Sequence, residues 1–327
     1  MKLSFEQLKL AACGVTDVEE CEGGIRFWRM NREQFQYYLD VRKDAERAKM
    51  ARQNAGVRLA FLTDSRTVTF SAELLPDLSG PFCGFDVCEN GVLIAHPGGE
   101  NVAVQRLSAT LSEGEKLLEL YFPWCKDVIL KELILDDGAS FKPHRRPRRM
   151  LAFGDSITHG ACAVHPSMSY IERLASLLDA DVENRGVGGD VFSPGIVANE
   201  RVTNVDLVIA AYGTNDWGYR TLEHFQKAMP ETVEALAARF PNTPIFVIAP
   251  LWRTDADTRQ SMMGIPLHDE VELIRAAARP FENVTVIDAW NFIPHMQAFF
   301  SDHVHPNDLG FGLYTANLYR EIIKCIK

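Results

Sequence analysis

Apolar and polar positions follow two different rhythms along this chain, and the change falls near its midpoint. From about Val57 to Leu135, short runs alternate apolar with polar residues and are cut by turn signals, the pattern of strands with one buried face. "VRLAFLTDSRTVTFSAEL" holds two such runs around Thr63-Asp64-Ser65. "GFDVCENGVLIAHPGG" places Asn90-Gly91 between apolar pairs, a strong short-range hairpin signal, and "EKLLELYFPW" and "DVILKELIL" follow. Before them, "QFQYYLDVRKDAERAKMARQNAG" predicts a helix ending at Gly56, with a weak apolar stripe. Residues 1–143 are expected to form a β-sandwich with irregular N-terminal additions.

"KPHRRPRRM" reads as a solvated linker, and residues 144–327 then change rhythm. Apolar runs ("MLAF", "DVENRGV", "DLVIAAYG", "PIFVIAP", "VTVIDAW"), near-continuous in "LVIAAYG", alternate with helical segments ("MSYIERLASLLD", "TLEHFQKAMPETVEALAARF", "DEVELIRAAARPF", "NDLGFGLYTANLYREIIKCI"). Pro230 is expected to kink the second of these helices or to start a new one. Strand and helix in alternation imply a parallel sheet covered on both faces, here a three-layer α/β/α domain with five strands. Ligands bind such sheets at the carboxyl ends of the strands. The polar clusters "GDSITHG", "RGVGGD", "GTNDW" and "APLWRTD" all fall there.

Composition narrows the function classes. The 327 residues suit two domains, and 46% hydrophobic with 24% charged residues is ordinary for a globular protein. A net charge of −10 argues against nucleic acid and anionic membrane surfaces as partners. No run is long enough to span a membrane, and the N-terminus lacks the basic start and long apolar middle of a secretory signal. Cys13, Cys21, Cys83, Cys88, Cys125, Cys162 and Cys325 are odd in number and scattered, which reads as reduced, buried thiols in a cytoplasmic protein. Cys162 alone falls near the polar clusters.

A serine hydroxyl becomes a nucleophile only beside a base, with an acid to orient that base and donors for the developing oxyanion. Ser156 ends the first strand, ahead of a helix expected to begin near Pro166 or Ser167. Asp302 and His305 stand three apart, a spacing at which a turn lets the carboxylate accept the Nδ1 hydrogen. Pro306 and Asn307 then suit the start of the last helix. Donors for the oxyanion are the Ser156 N–H, a backbone N–H of Gly188 or Gly189, and the Asn215 amide. Each residue also has a plainer reading. Ser156 alone caps a turn; Asp155, Asp190 and Asp216 suit helix-start and loop hydrogen bonding. Asp302, His303 and His305, with His295 or His159, match metal-ligand chemistry, although a metal site leaves Ser156, Gly189 and Asn215 unexplained. Trp217, Tyr219 and Trp252 lie just past strand ends, as a wall for a sugar ring or acyl chain, or as packing between loop and sheet.

"GDSIT", "NRGVGGD", "GTND" and "DHVHP", in that order on successive strand ends, resemble the four blocks of the SGNH (GDSL-type) hydrolases. The resemblance implies Ser156 as nucleophile, His305 as base and Asp302 as its orienting acid, with an oxyanion hole of Ser156, Gly189 and Asn215. Gly189 is preferred to Gly188 because the family's glycine directly precedes the position of Asp190. Ile157 replaces the leucine of the family signature, and Thr158 breaks the Gly-x-Ser-x-Gly elbow of the lipase-like α/β-hydrolases. The resemblance implies an SGNH-type domain behind a jelly-roll-like β-sandwich, as in several bacterial carbohydrate esterases, and requires neither metal nor organic cofactor. "GFDVC" loosely resembles a Gly-x-Asp-Leu-Tyr motif found ahead of some SGNH domains. The expected activity is hydrolysis of short-chain esters, O-acetyl groups on a carbohydrate first. Asp155, Trp217 and Trp252 are candidate substrate contacts. An acyltransferase using the same residues, or a carbohydrate-binding protein with a relic site, are the alternatives.

Overall fold

The computed structural model describes residues 1–75, 84–98 and 104–326. The N-terminal half holds two antiparallel sheets that enclose one apolar core. One sheet runs Ala12–Cys13, Arg58–Thr63, Lys116–Tyr121, Asp86–Glu89, Val92–Ala95, with Lys142–Pro143 paired to Arg58–Thr63. The other runs Asp17–Cys21, Gly24–Trp28, Val128–Leu135, Thr67–Leu74, Val104–Thr110. The two runs flanking Thr63-Asp64-Ser65 therefore lie in different sheets, and that turn is a corner between layers. Asn90 (φ 50°) and Gly91 (φ 78°) are both left-handed, the backbone that a two-residue hairpin demands.

In the second half five parallel strands form one sheet: β1 (Arg148–Gly154), β2 (Ala180–Gly186), β3 (Leu207–Ala211), β4 (Ile245–Ala249) and β5 (Val284–Asp288), in the order β2-β1-β3-β4-β5. Burial on both faces explains the apolar sequences of β1, β3 and β4, while the edge strand β2 buries the polar Glu183, Asn184 and Arg185. Leu151 and Phe153 of β1 join one core with the helix Leu222–Arg239, while Met150 and Ala152 join the opposite one with Tyr170–Leu177 and Asp308–Ile322. Pro230 neither ends nor splits its helix, which runs unbroken from Leu222 to Arg239. The carbonyl that its missing N–H leaves unbonded belongs to Gln226, an exposed residue.

The segment expected to be one helix is broken. Arg32–Gln36 passes into a π-helical turn at Tyr37–Val41, Lys43 turns left-handed (φ 55°), and α1 (Ala45–Arg52) restarts with Asp44 accepting from the Arg47 N–H. Its inward face is mixed: Tyr38, Ala48 and Ala51 join the core of the α/β half, and polar groups beside them bond across to it. Gln34 donates to Glu200 at 3.0 Å, Tyr38 to Asp190 at 2.7 Å and Arg42 to Asp190 at 2.6 Å. The linker is not simply solvated either. Arg146, 7% exposed, joins Glu119 of the sandwich (2.8 Å) to the Ala180 carbonyl of β2 (3.2 Å).

The cysteine expectation fails in part. Cys125 is disulfide-bonded, and Cys83 lies outside the described residues. Cys13, Cys21, Cys88, Cys162 and Cys325 are free, but only Cys13 and Cys88 are buried.

Candidate active site

The carboxyl ends of β1 and β3 flank the place where the chain reverses its direction of travel across the sheet, the switch point at which such sheets bind ligands. Ser156 stands at one of these ends and Asn215 at the other. The helix after β1 starts at Ser156 itself rather than near Pro166: α2 (Ser156–His159) is capped by Asp155, which accepts from the Ile157 N–H at 2.9 Å. A Cβ at Gly154 would lie 2.1 Å from Thr158 Oγ1, so only glycine allows α2 to fold back this tightly on β1.

His305 arrives from the other end of the sequence. Its Nε2 is 2.7 Å from Ser156 Oγ, and its Nδ1 is 2.7 Å from Asp302 Oδ2. The other oxygen of Asp302 accepts the backbone N–H groups of Val304 and His305, both at 2.7 Å. One carboxylate thus shapes the loop and aims the ring. Asn307 caps the last helix, accepting from Leu309 and Gly310 at 3.1 Å, as the sequence led us to expect.

Burial opposes charge on both partners, and hydrogen bonding overrides it. Asp302 is held well below the usual carboxylate range by His305 and the two backbone donors. The hydrogen bond to Asp302, with Cys162 close by, outweighs burial at His305 and pushes the imidazole up to about 10. Cys162, left-handed at φ 69°, thus faces the triad.

Ser156, His305, Gly188, Gly189 and Asn215 line one cavity of about 420 Å³. Gly189 adopts φ +73°, and Asn215 Nδ2 donates to the Asp190 carbonyl at 3.0 Å, which leaves its second hydrogen for a ligand. Beneath Asn215, Asp216 is fully buried, accepts from the Phe192 N–H, and is pushed up to about 8 by burial. Asp155 is likewise raised by burial, to about 7. Asp190 fixes its loop, as expected.

Other candidates lie elsewhere. Trp217 is 2% exposed, its indole N–H donating to the Ile265 carbonyl at 2.7 Å, so it belongs to the core rather than to a substrate wall. Trp252 stacks on His295 at 4.6 Å and meets the edge of Phe300, outside the cavity lining. Asp155 serves the α2 turn. Tyr219 does line the cavity. His303 is drawn off to Thr254 (2.8 Å), so the set Asp302, His303, His305 does not converge. Among the described residues, Cys162 is the side chain whose ligand atom meets those of Asp302 and His305.

Sequence reasoning missed the contribution of the first half. Arg47, Met50, Gln53 and Trp124 line the cavity, with Trp124 edge-on to the buried His159. It also took "GFDVC" no further than a loose resemblance. Asp86 of that stretch is fully buried and holds the loop that follows α2: its oxygens meet His96 (2.6 Å), His165 (3.2 Å), and the Ser167 N–H and hydroxyl (2.8 and 2.5 Å). Four donors satisfy this carboxylate from protein alone.

Similar proteins bear on the same architecture. The salicylyl-acyltransferase SsfX3 of a tetracycline biosynthetic pathway aligns with TM-score 0.81 and 21% identity over 96% of this chain and 94% of its own. A protein assigned as a GDSL-like lipase from Bacteroides ovatus aligns with TM-score 0.79 and 19% identity over 99% and 96%. An active-site mutant of a family two carbohydrate esterase from Clostridium thermocellum gives 0.65 and 14% over 84% and 93%. At these identities they share the fold. No functionally curated protein matches the sequence. A family model matches over residues 152–313, the stretch that carries Ser156, Gly189, Asn215, Asp302 and His305, and this part of the chain belongs to the GDSL-like lipase/acylhydrolase family.

Proposed function

We propose that the protein is a serine esterase that removes short acyl groups, O-acetyl first, from a carbohydrate through an acyl-serine intermediate. The observation that carries the reading is the unbroken relay Ser156 Oγ, His305 Nε2, His305 Nδ1, Asp302 Oδ2, with 2.7 Å at each hydrogen bond. Once the imidazole has lost its second proton, Nε2 accepts the Ser156 proton as Oγ attacks the ester carbonyl. The N–H groups of Ser156 and Gly189 and the free Asn215 hydrogen receive the oxyanion. The imidazolium returns its proton to the leaving alcohol, and water repeats the sequence on the acyl-serine.

The carbohydrate part is supported by the fold. Structures of similar architecture include a family two carbohydrate esterase in complex with cellohexaose and an acetyl xylan esterase. The salicylyl-acyltransferase favours a second reading, transfer of the acyl group to another alcohol. A panel of p-nitrophenyl esters of rising chain length, run beside acetylated sugars with and without a sugar acceptor, separates the two. Hydrolysis of short esters and sugar acetates, abolished in Ser156→Ala, is expected. Turnover that requires the acceptor selects transfer, and an unimpaired Ser156→Ala rejects both.

A further inference from the structure

The side of α1 that faces the α/β half covers the two glycines of the oxyanion loop. A Cβ on Gly188 would sit 2.7 Å from Met50 Sδ, and one on Gly189 would sit 3.0 Å from Arg47 Nη2, so two residues one turn apart close over both positions. Arg47 Nη2 donates to the Gly189 carbonyl, and its Nη1 is held by Asp44. The next residue is gripped on every side: Tyr38 and Arg42 take the two carboxylate oxygens of Asp190, and Asn215 takes its carbonyl. Gly189 sits at φ +73° inside a turn closed by the Asp190 N–H on the Val187 carbonyl at 3.1 Å, so holding the peptide that follows Gly189 restrains the peptide that carries its N–H.

We propose that Arg47, a residue of the N-terminal half, is a positioning residue for the oxyanion hole: by clamping the Gly189 carbonyl it sets the direction of the Gly189 N–H. The proposal rests on the serine-esterase reading above. Arg47 acts through Gly189, so its loss degrades stabilisation of the tetrahedral species rather than capture of the ester. Removing an oxyanion donor outright costs about 10²–10³ in kcat, and misplacing a group by an ångström costs about 10². Loosening one donor of the hole should cost roughly 10- to 100-fold.

The test uses the full chain with Arg47→Met, which keeps the bulk over Gly189, and Arg47→Lys, which keeps a donor of different shape. Steady-state rates on p-nitrophenyl acetate are read beside inhibition by an alkyl boronate, whose serine adduct places an oxygen in the hole. Arg47→Met should lower kcat 10- to 100-fold with KM within about twofold, weaken the boronate by a similar factor, and be partly rescued in Arg47→Lys. Thermal melts of both variants check folding, and Arg47→Lys carries the test if Arg47→Met does not fold. An unchanged kcat, a rise in KM alone, or a fall in kcat with boronate affinity intact overturns the proposal. Ser156→Ala, measured alongside, reports separately on the esterase reading.

Discussion

Asp302→Asn changes one atom, and the surrounding geometry dictates what that atom must do. Val304 and His305 aim two backbone N–H groups at Oδ1 from 2.7 Å, so the amide oxygen of the variant must stay there. The amide NH2 then faces His305 Nδ1 at the 2.7 Å once held by Oδ2. Two donors cannot face each other, so Nδ1 must present its lone pair and the ring proton moves to Nε2. That nitrogen is the one 2.7 Å from Ser156 Oγ, and a protonated Nε2 cannot accept the serine proton. The geometry survives while the base is switched off. The analogous change in a serine protease lowers kcat by about 10⁴. We expect a fall of roughly 10³–10⁴, equivalent to about 4–5.5 kcal/mol of transition-state stabilisation. The melting temperature should fall at neutral pH, because the variant loses the pairing that lowers Asp302 and raises His305, though Asp302 is half-exposed and part of that loss is screened. Initial rates on p-nitrophenyl acetate, with a thermal melt of the same preparation, decide the matter. A variant that folds and keeps kcat within tenfold of the parent across the pH range refutes the tautomer argument.

Three further expectations follow from the same geometry. Asn215→Ala should lower kcat by about 10²–10³ with KM little changed; an effect confined to KM would make Asn215 a substrate contact. Because the imidazole stands near 10 and must lose a proton to act, kcat/KM should rise with pH through the alkaline range. Cys162→Ala, which removes one of the groups holding the imidazole up, should move that limb to lower pH; an unmoved limb removes Cys162 from the account. Burial raises Asp155 and Glu172 to about 7 and Asp216 to about 8, so the folded chain retains protons that the unfolded chain has released above about pH 4. Their stabilisation is complete below the unfolded values and is lost as pH rises through 7–8. The melting temperature should therefore be lower at pH 8.5 than at pH 5.5, with the difference reduced in Asp216→Asn, and a rise in that interval contradicts the assignment.

The central strands β1, β3 and β4 were legible because a strand buried on both faces is mostly apolar, whereas the edge strand β2 buries Glu183, Asn184 and Arg185 and was legible from its place in the strand-helix alternation. Ser156, Asn215 and His305 were legible because each sits at such a strand's end or at a helix cap whose chemistry is local. Orientation was not legible. Trp217 and Trp252 stand just past strand ends as a substrate wall would, and the direction of each ring is set by distant partners, the Ile265 carbonyl and His295. The contribution of residues 29–52 escaped because apolar periodicity registers apolar burial only. Beside the apolar contacts of Met30, Tyr38, Ala48 and Ala51, this segment meets the α/β half through Arg29, Tyr38, Arg42 and Arg47, whose partners Asn184, Gly189 and Asp190 lie more than a hundred residues away. The trace of Asp86 was present in "GFDVC", but a buried carboxylate is recognisable only once its donors His165 and Ser167 are beside it.

That charged seam changes what a cut at 143/144 would leave. Met30, Tyr38, Ala48 and Ala51 belong to the same core as Phe153, Val187, Phe192, Ile196 and Trp217, and the Tyr37 ring fills the space a side chain at Gly195 would need. Residues 144–327 alone would therefore open part of their own core to water. Each large side chain such as Phe192 or Ile196 laid bare forfeits about 1.5–3 kcal/mol, and whole domains have only about 5–15 kcal/mol to lose. The Gly188–Gly189 loop would also lose Met50, Arg47, Tyr38 and Arg42 together. We expect the 144–327 fragment to be insoluble or to melt without cooperativity, whereas a fragment beginning near residue 29 would keep this seam and the strands that carry Asp86 and precede Trp124, and would lose only Ala12–Cys13, Asp17–Cys21 and Gly24–Trp28 from the sandwich. A soluble 144–327 fragment with a sharp thermal transition and parental kcat on p-nitrophenyl acetate would show that the N-terminal half is an appendage, and would remove the ground for treating its helix as part of the oxyanion hole.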